Sequence, residues 1–201
     1  MSTILLVRHG ETDWNVSGQI MGERPIPLNR TGQRQAERVA QLLKTRRVGA
    51  IYSSPVARAL QTAEAIGSAL GLPVTAEAGL KEIGMGEWEG QFWKDLADEI
   101  VRKNFYTMPQ VARPPGGETI GEVQTRAVAV IERLRAETGD PLVFVSHADV
   151  VRVILGHYLR LDLQHVRQMR IDHASVSALD LTGDLVTLLC LNYTPDLGAI
   201  K

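Results

Sequence analysis

The sequence predicts an α/β fold, a three-layer α/β/α sandwich with a mostly parallel central sheet, and three observations carry that expectation. Short, uninterrupted apolar runs alternate with amphipathic helical patterns along the chain, and such runs are the mark of strands covered on both faces. No internal repeat, low-complexity tract or linker interrupts the alternation, so residues 1–201 read as one domain. With 44% hydrophobic and 22% charged residues, a chain of 201 residues has the material for a sizeable core.

Ile4 to Val7 gives the first strand, which ends abruptly in Arg8-His9 before Gly10 allows a sharp turn. In "QRQAERVAQLLKTR", Ala36, Val39, Ala40 and Leu43 share one helical face, with Thr31 expected as N-cap. Ala50 to Ser53 is the second strand. Ser54-Pro55 is expected to supply the N-cap and first position of a helix that buries Ala59, Ala63, Ile66 and Leu70. Thr119 and Glu122 have capping-box spacing and head a helix with Ile120, Val123, Ala127, Val130 and Leu134 inward. "PLVFVSHADVVRVILGHYL" repeats the opening design: an apolar strand, then Ser146-His147, then a helix. "SVSALDLTGDLVTLLCLN" reads as two strands joined at Thr182-Gly183-Asp184.

The formal net charge of −1 argues against a general nucleic-acid or membrane-surface binder, so any strong positive potential is local. Cys190, the single cysteine, lies in an apolar run and is expected to be a buried thiol in a reducing compartment. The N-terminus lacks a signal-peptide pattern and no segment reaches membrane-span length, which together predict a cytoplasmic chain.

Basic residues converge on one edge of this sheet. In open α/β sheets ligands bind beyond the carboxyl ends of the strands, and there the sequence delivers Arg8 and His9, then Arg58, then His147. Two guanidiniums and two imidazoles form a phosphate trap, helped by the N–H groups of helix N-termini. Salt-bridged arginines and core histidines are the competing structural reading. It suits any one of these residues better than all four at one edge.

"LVRHGETDWN" resembles the signature of the histidine phosphatase (phosphoglycerate-mutase-like) superfamily, and the similarity extends through "YSSPVARALQTA", "LKEIGMGEWEG", "PPGGET" and "VSHADVVR". The resemblance implies a phosphohistidine mechanism. Arg8, His9, Arg58, Glu82 and His147 match the catalytic positions, with His9 the nucleophile and Glu82 the proton donor and base. Arg8, Asn15, Arg58, His147 and Ala148 would hold the phosphoryl oxygens. The scheme requires no cofactor and no metal, and His157 and His165 lack the paired spacing of a ligand site. Ala148 stands where the family usually has glycine. Asp149 after it is expected either to cap the following helix, the favoured alternative, or to bias the charge of His147. His173 stands where asparagine is common; like His157 and His165 it lacks paired ligand spacing and is expected to be structural or at the surface, with support of the site from behind as the alternative.

Between about residues 87 and 117, aromatic and methionine side chains gather without a clean period, which predicts a small, partly helical cap over the site. Trp88 and Trp93 are expected to fix the cap to the core. Phe105, Tyr106 and Met108, with Met21 and Gly22 from the first loop, are candidates to line the substrate pocket. The segment around Glu82 resembles the small phosphatases, so the expected activity is metal-independent hydrolysis of small phosphorylated metabolites. A phosphoglycerate-type mutase and a catalytically idle phosphate-ester sensor are the alternatives. A nucleotide-binding domain is disfavoured by the absence of a Walker loop or a dinucleotide glycine pattern. The expected partner is a small phosphorylated metabolite, with no nucleic acid and no membrane, and a homodimer is left open.

Overall fold

The computed structural model describes residues 3–96, 99–137, 141–183 and 185–195. Its strands are β1 (Thr3–Arg8), β2 (Ala50–Ser53), β3 (Val74–Ala76), β4 (Leu142–Ser146), β5 (Val176–Asp180) and β6 (Thr187–Tyr193). Its α-helices are α1 (Asp13–Ser17), α2 (Arg30–Lys44), α3 (Ala57–Leu70), α4 (Glu99–Thr107), α5 (Ile120–Glu137) and α6 (Ala148–Tyr158). The strands form one sheet in the order β3-β2-β4-β1-β5-β6. β1, β2, β3 and β4 run parallel, whereas β5 is antiparallel to β1 and β6 to β5.

Side-chain alternation along the central strands explains why both faces must be covered. Val7, Val143 and Val145 pack with Val39, Ala40 and Leu43 of α2 and Ala59, Ala63 and Ile66 of α3. Ile4, Leu6, Leu142 and Phe144 pack on the other face with Val123, Ala127 and Ile131 of α5 and Ile154 of α6. A central strand that is apolar at every position is the consequence.

Several local expectations are corrected. The N-cap of α2 is Asn29, not Thr31, because the Asn29 carboxamide reaches the Gly32 N–H at 2.8 Å. α3 begins at Ala57 behind Val56, not at Pro55; the Ser54 hydroxyl that was to cap it accepts the Val56 N–H and turns toward His147. Asp149 is not a cap either. His147 holds that position, and Asp149 sits in the first turn, ion-paired with Arg152 at 2.8 Å. The Thr119–Glu122 capping box forms in both directions. β3, with only three residues, had no apolar run to mark it.

The segment between Glu87 and Gly117 contains short 3-10 turns at Gly86–Trp88 and Trp93–Asp95, then α4. The Trp88, Trp93, Phe105 and Tyr106 rings pack edge-to-face or tilted at centroid distances of 4.7–6.1 Å, and Trp88 and Phe105 join the core. A bridge between Gln19 and Phe92, with hydrogen bonds linking Ile20 to Gly90 and Gln91, ties this segment to the loop after β1. β5 and β6 form the expected hairpin; Asp184 of its connection lies outside the described residues. Cys190 is only half-buried, since it lies on β6, the edge strand of the sheet, whose side chains are mostly exposed. No described helix is long and apolar enough to cross a membrane.

Candidate active site

Parallel register brings the predicted residues together. Arg8 is level with Ser146 and Ser53 with Val145, so β1, β2 and β4 end at one edge. His9 and His147 follow side by side there, with ring centroids 5.1 Å apart. The His9 N–H donates to the Ser146 carbonyl at 2.9 Å, and that of Ser54 to Val145 at 2.9 Å, which continues the ladder into the site.

His9 is buried, and its Nδ1 lies 2.7 Å from the Gly10 carbonyl. A carbonyl only accepts, so Nδ1 carries the proton and Nε2 keeps a lone pair. Burial, then the Arg58 and Arg8 charges, hold its pKa well below the usual histidine value, so the ring is neutral. Arg58, in the first turn of α3 and fully buried, donates Nε–H to that Nε2 at 3.2 Å. Its two other nitrogens donate to the Arg24 and Gly22 carbonyls at 3.0 and 2.8 Å, and each retains a further N–H. One turn along, Thr62 accepts the Gly10 N–H and donates to the Arg58 carbonyl, fixing the turn after β1 against α3.

Arg8 donates to the Ile171 carbonyl and to His173 Nε2, both at 2.8 Å. His173 is therefore a neutral acceptor; burial and the Arg8 charge depress its pKa to about 3. Arg8 itself is lowered to about 10 by burial and stays charged at neutral pH. Its Nε is buried without a partner, as is Nδ1 of His147. His147 Nε2 lies 2.8 Å from the Ser54 hydroxyl, which already accepts from Val56. The arrangement that employs the hydroxyl proton has Ser54 donate to Nε2, which places the histidine proton on Nδ1, the unpartnered atom. Burial, then Arg58, holds His147 neutral too.

Glu82 closes the group. Its Oε2 is 3.9 Å from His147 Nδ1, and Oε1 accepts the Ile83 N–H at 3.0 Å. Burial, and after it the Asp149 carboxylate, push its pKa up to about 7, against the pull of Arg58, the Ile83 N–H and Arg8. So Asp149 acts on Glu82, and the neighbouring charges that disfavour a proton on His147 are those of Arg58, His9, Arg8 and Arg126. The Glu82 backbone is held from α5, where Arg126 donates to the Gly79, Lys81 and Glu82 carbonyls and pairs with Glu118.

Asn15 lies in α1, where its carboxamide oxygen accepts from the Thr12 N–H and hydroxyl, leaving the amide NH2 as a donor. Ala148 opens α6, whose first N–H groups have no partner within the helix. Met21 places its Sδ 3.2 Å from the Thr12 hydroxyl oxygen, and Gly22, at φ +48°, packs against the Glu89 carboxylate where a Cβ would collide. Phe105 is corrected: it is fully buried among Trp88, Trp93 and Tyr106 and cannot line an open pocket. Met108 is half-exposed just beyond α4, while the Arg167 guanidinium lies 3.6 Å above the Tyr106 ring. Among the described residues no group of His, Cys, Asp and Glu has a metal-holding arrangement.

Sequence reasoning missed four residues that set this geometry: Ser54, Thr62, Arg126 and Glu89. Glu89 accepts the Glu23 N–H at 3.0 Å and pairs with Arg24 at 3.2 Å, so it holds the segment whose carbonyls orient Arg58. Only Ser54, read as a cap, gave a usable signal.

The family model for the histidine phosphatase superfamily (branch 1) matches residues 4–194. The chain belongs to this superfamily. Among its members, the probable phosphoglycerate mutase GpmB of Yersinia enterocolitica is 34% identical over 183 residues, 90% of this chain and 85% of that protein. The phosphoserine phosphatase of Entamoeba histolytica, crystallised with 3-phosphoglyceric acid, superposes with a TM-score of 0.88 at 28% identity, covering 97% of this chain and 98% of that one. A mycobacterial glucosyl-3-phosphoglycerate phosphatase crystallised with VO3 gives 0.87 at 26% identity, covering 96% and 100%.

Proposed function

We propose that this superfamily member is a metal-independent phosphomonoesterase that hydrolyses small phosphorylated metabolites through a phosphohistidine on His9. One observation carries the reading: buried Arg8 Nε and His147 Nδ1 are unpartnered, beside the lone pair on His9 Nε2. A fully buried guanidinium on Arg58, a partly buried one on Arg8 and donors left without acceptors are costly unless an anion completes them. A phosphoryl group supplies both the charge and the oxygens.

In the first step, His9 Nε2 attacks phosphorus in line and the ester P–O bond breaks. Protonated Glu82 gives its proton to the leaving oxygen. Arg8, Arg58, Asn15, His147 and the Ala148 N–H hold the non-bridging oxygens. The Arg58 Nε–H moves from Nε2 to a phosphoryl oxygen as the lone pair is used. In the second step, ionised Glu82 takes a proton from water, the water oxygen attacks phosphorus and the P–N bond breaks. Neutral His9 and inorganic phosphate result. A carboxyl poised near pH 7 suits both proton transfers.

The similarity to two phosphatase structures supports hydrolysis, and the similarity to GpmB supports a mutase as the second reading. A phosphate-release panel of sugar, amino-acid, glycerate and nucleoside phosphates, run with EDTA and repeated with 3-phosphoglycerate as acceptor, separates them. Hydrolysis predicts inorganic phosphate equal to ester consumed. Dominant transfer to the acceptor would replace the proposal by the mutase.

A further inference from the structure

The chain between α6 and β5 runs along the wall of the site. The Met169 carbonyl accepts from Arg152 Nε at 2.9 Å, the Ile171 carbonyl from Arg8 at 2.8 Å, and His173 Nε2 also from Arg8 at 2.8 Å. Arg152 in turn pairs with Asp149, two residues beyond His147. Arg167 stands two residues before Met169, so its Cα lies within roughly 7 Å of that anchor. Its guanidinium lies over the Tyr106 ring, 3.6 Å from the centroid. Unlike Arg8 and Arg152, it has no hydrogen bond or ion pair among the described residues. Stacking on an aromatic face steadies a guanidinium and leaves its N–H edge open. The Tyr106 phenol ties this cation to the catalytic acid: burial first, then the Asp149 charge and that of Glu82, raise its pKa, while Arg167 and Arg152 oppose the rise. One hydroxyl therefore feels both Glu82 and Arg167. Glu82 protonates the leaving oxygen, so the alcohol half of the ester departs on this side.

We propose that Arg167 is a specificity-determining residue of this site: laid on Tyr106, its free edge takes a carboxylate carried by the alcohol half of the ester. The proposal rests on the phosphomonoesterase reading and narrows its substrate class to carboxylate-bearing phosphomonoesters. A planar guanidinium edge matches a planar carboxylate with two parallel N–H···O bonds, a fit that a neutral hydroxyl lacks. The charges of the site agree. Arg8 and Arg58 face the phosphoryl group, Asp149 is paired with Arg152, and Glu82 enters the first step protonated. Arg167 thus brings a positive charge that neither the phosphoryl group nor the carboxylates of the site use.

Calorimetric titration of the full chain carrying His9→Ala, which binds an ester without turning it over, tests this with D-3-phosphoglycerate and glycerol 3-phosphate of the same configuration. The two ligands differ only in a carboxylate against a hydroxymethyl group. The carboxylate ester should bind at least about tenfold more tightly, and adding Arg167→Met should bring the two affinities within about threefold by weakening it, the scale of a charge-assisted pair. Methionine keeps an apolar stem against the Tyr106 ring and removes the charge, so a purely structural Arg167 would shift both ligands alike; thermal melts confirm folding. Equal affinities in the His9→Ala chain, or a preference that survives Arg167→Met, would overturn the proposal. Turnover of p-nitrophenyl phosphate, which has no carboxylate, by the native chain tests the phosphomonoesterase reading separately. Turnover without the affinity difference removes the carboxylate subsite alone, and the affinity difference without turnover upholds the subsite and removes the hydrolase reading.

Discussion

Replacing Glu89 with alanine should slow catalysis without touching any group that meets substrate. The carboxylate is 15% exposed, accepts the Glu23 N–H and, at 3.4 Å, the Met85 N–H, and pairs with Arg24. The Gly22 and Arg24 carbonyls of the segment it holds are both partners of the Arg58 guanidinium outside His9. Losing Arg58 altogether should cost roughly 2–4 kcal/mol of transition-state stabilisation, the range for one charge-stabilising donor. Loosening its two anchors should cost part of that, about 1–2 kcal/mol, or roughly 5- to 30-fold in kcat/KM. Glu89→Gln keeps an acceptor for the N–H groups and loses only the pair with Arg24, whose side chain is 57% exposed; such pairs contribute about 0–1 kcal/mol, so this variant should stay within about fivefold of native. The assay is kcat/KM on p-nitrophenyl phosphate for Glu89→Ala, Arg58→Ala and the double variant, with thermal melts to confirm folding. If Glu89 works through Arg58, the double variant is no slower than Arg58→Ala. Additive losses, or a folded Glu89→Ala with native kcat/KM, would refute the chain of contacts.

The pKa of Glu82, pushed up to about 7, predicts that kcat/KM for an alkyl phosphate falls above about pH 7, where the proton donor is lost. Glu82→Gln should abolish that descending limb, and with p-nitrophenyl phosphate, whose leaving group needs little help, it should show a burst of nitrophenol and then stall; a pH profile unchanged in the variant would remove Glu82 from the role. Ser54→Ala removes the donor that places the His147 proton on Nδ1 and should lower kcat about tenfold or more with little change in KM, because an oriented donor matters most in the transition state. A Ser54→Ala variant with native kcat would show that His147 keeps its orientation unaided.

Most of the site was legible because its chemistry sits at strand ends. An apolar run ending in Arg8-His9, or in Ser146-His147, declares a basic pair at a known sheet edge before any contact is seen. Glu82 came from the family resemblance alone: it stands in an irregular loop, and Arg126, which fixes that loop, reaches it across 44 residues of sequence. Caps were the least reliable local reading. Thr119–Glu122 was right because both partners are near in sequence, whereas Ser54 and Asp149 were drawn off by His147 and Arg152. Phe105 illustrates the limit for apolar side chains, since composition marks a cluster but not which member faces inward.

Rapid-quench trapping on His9 examines the phosphohistidine directly. Native chain mixed with radiolabelled phosphomonoester and quenched in alkali should carry acid-labile label on His9. In the absence of acceptor that label should decay to inorganic phosphate no more slowly than the enzyme turns over. His9→Ala should neither label nor release phosphate while melting as the native chain does. Label on another residue, or phosphate release that persists in His9→Ala, would contradict a nucleophilic His9.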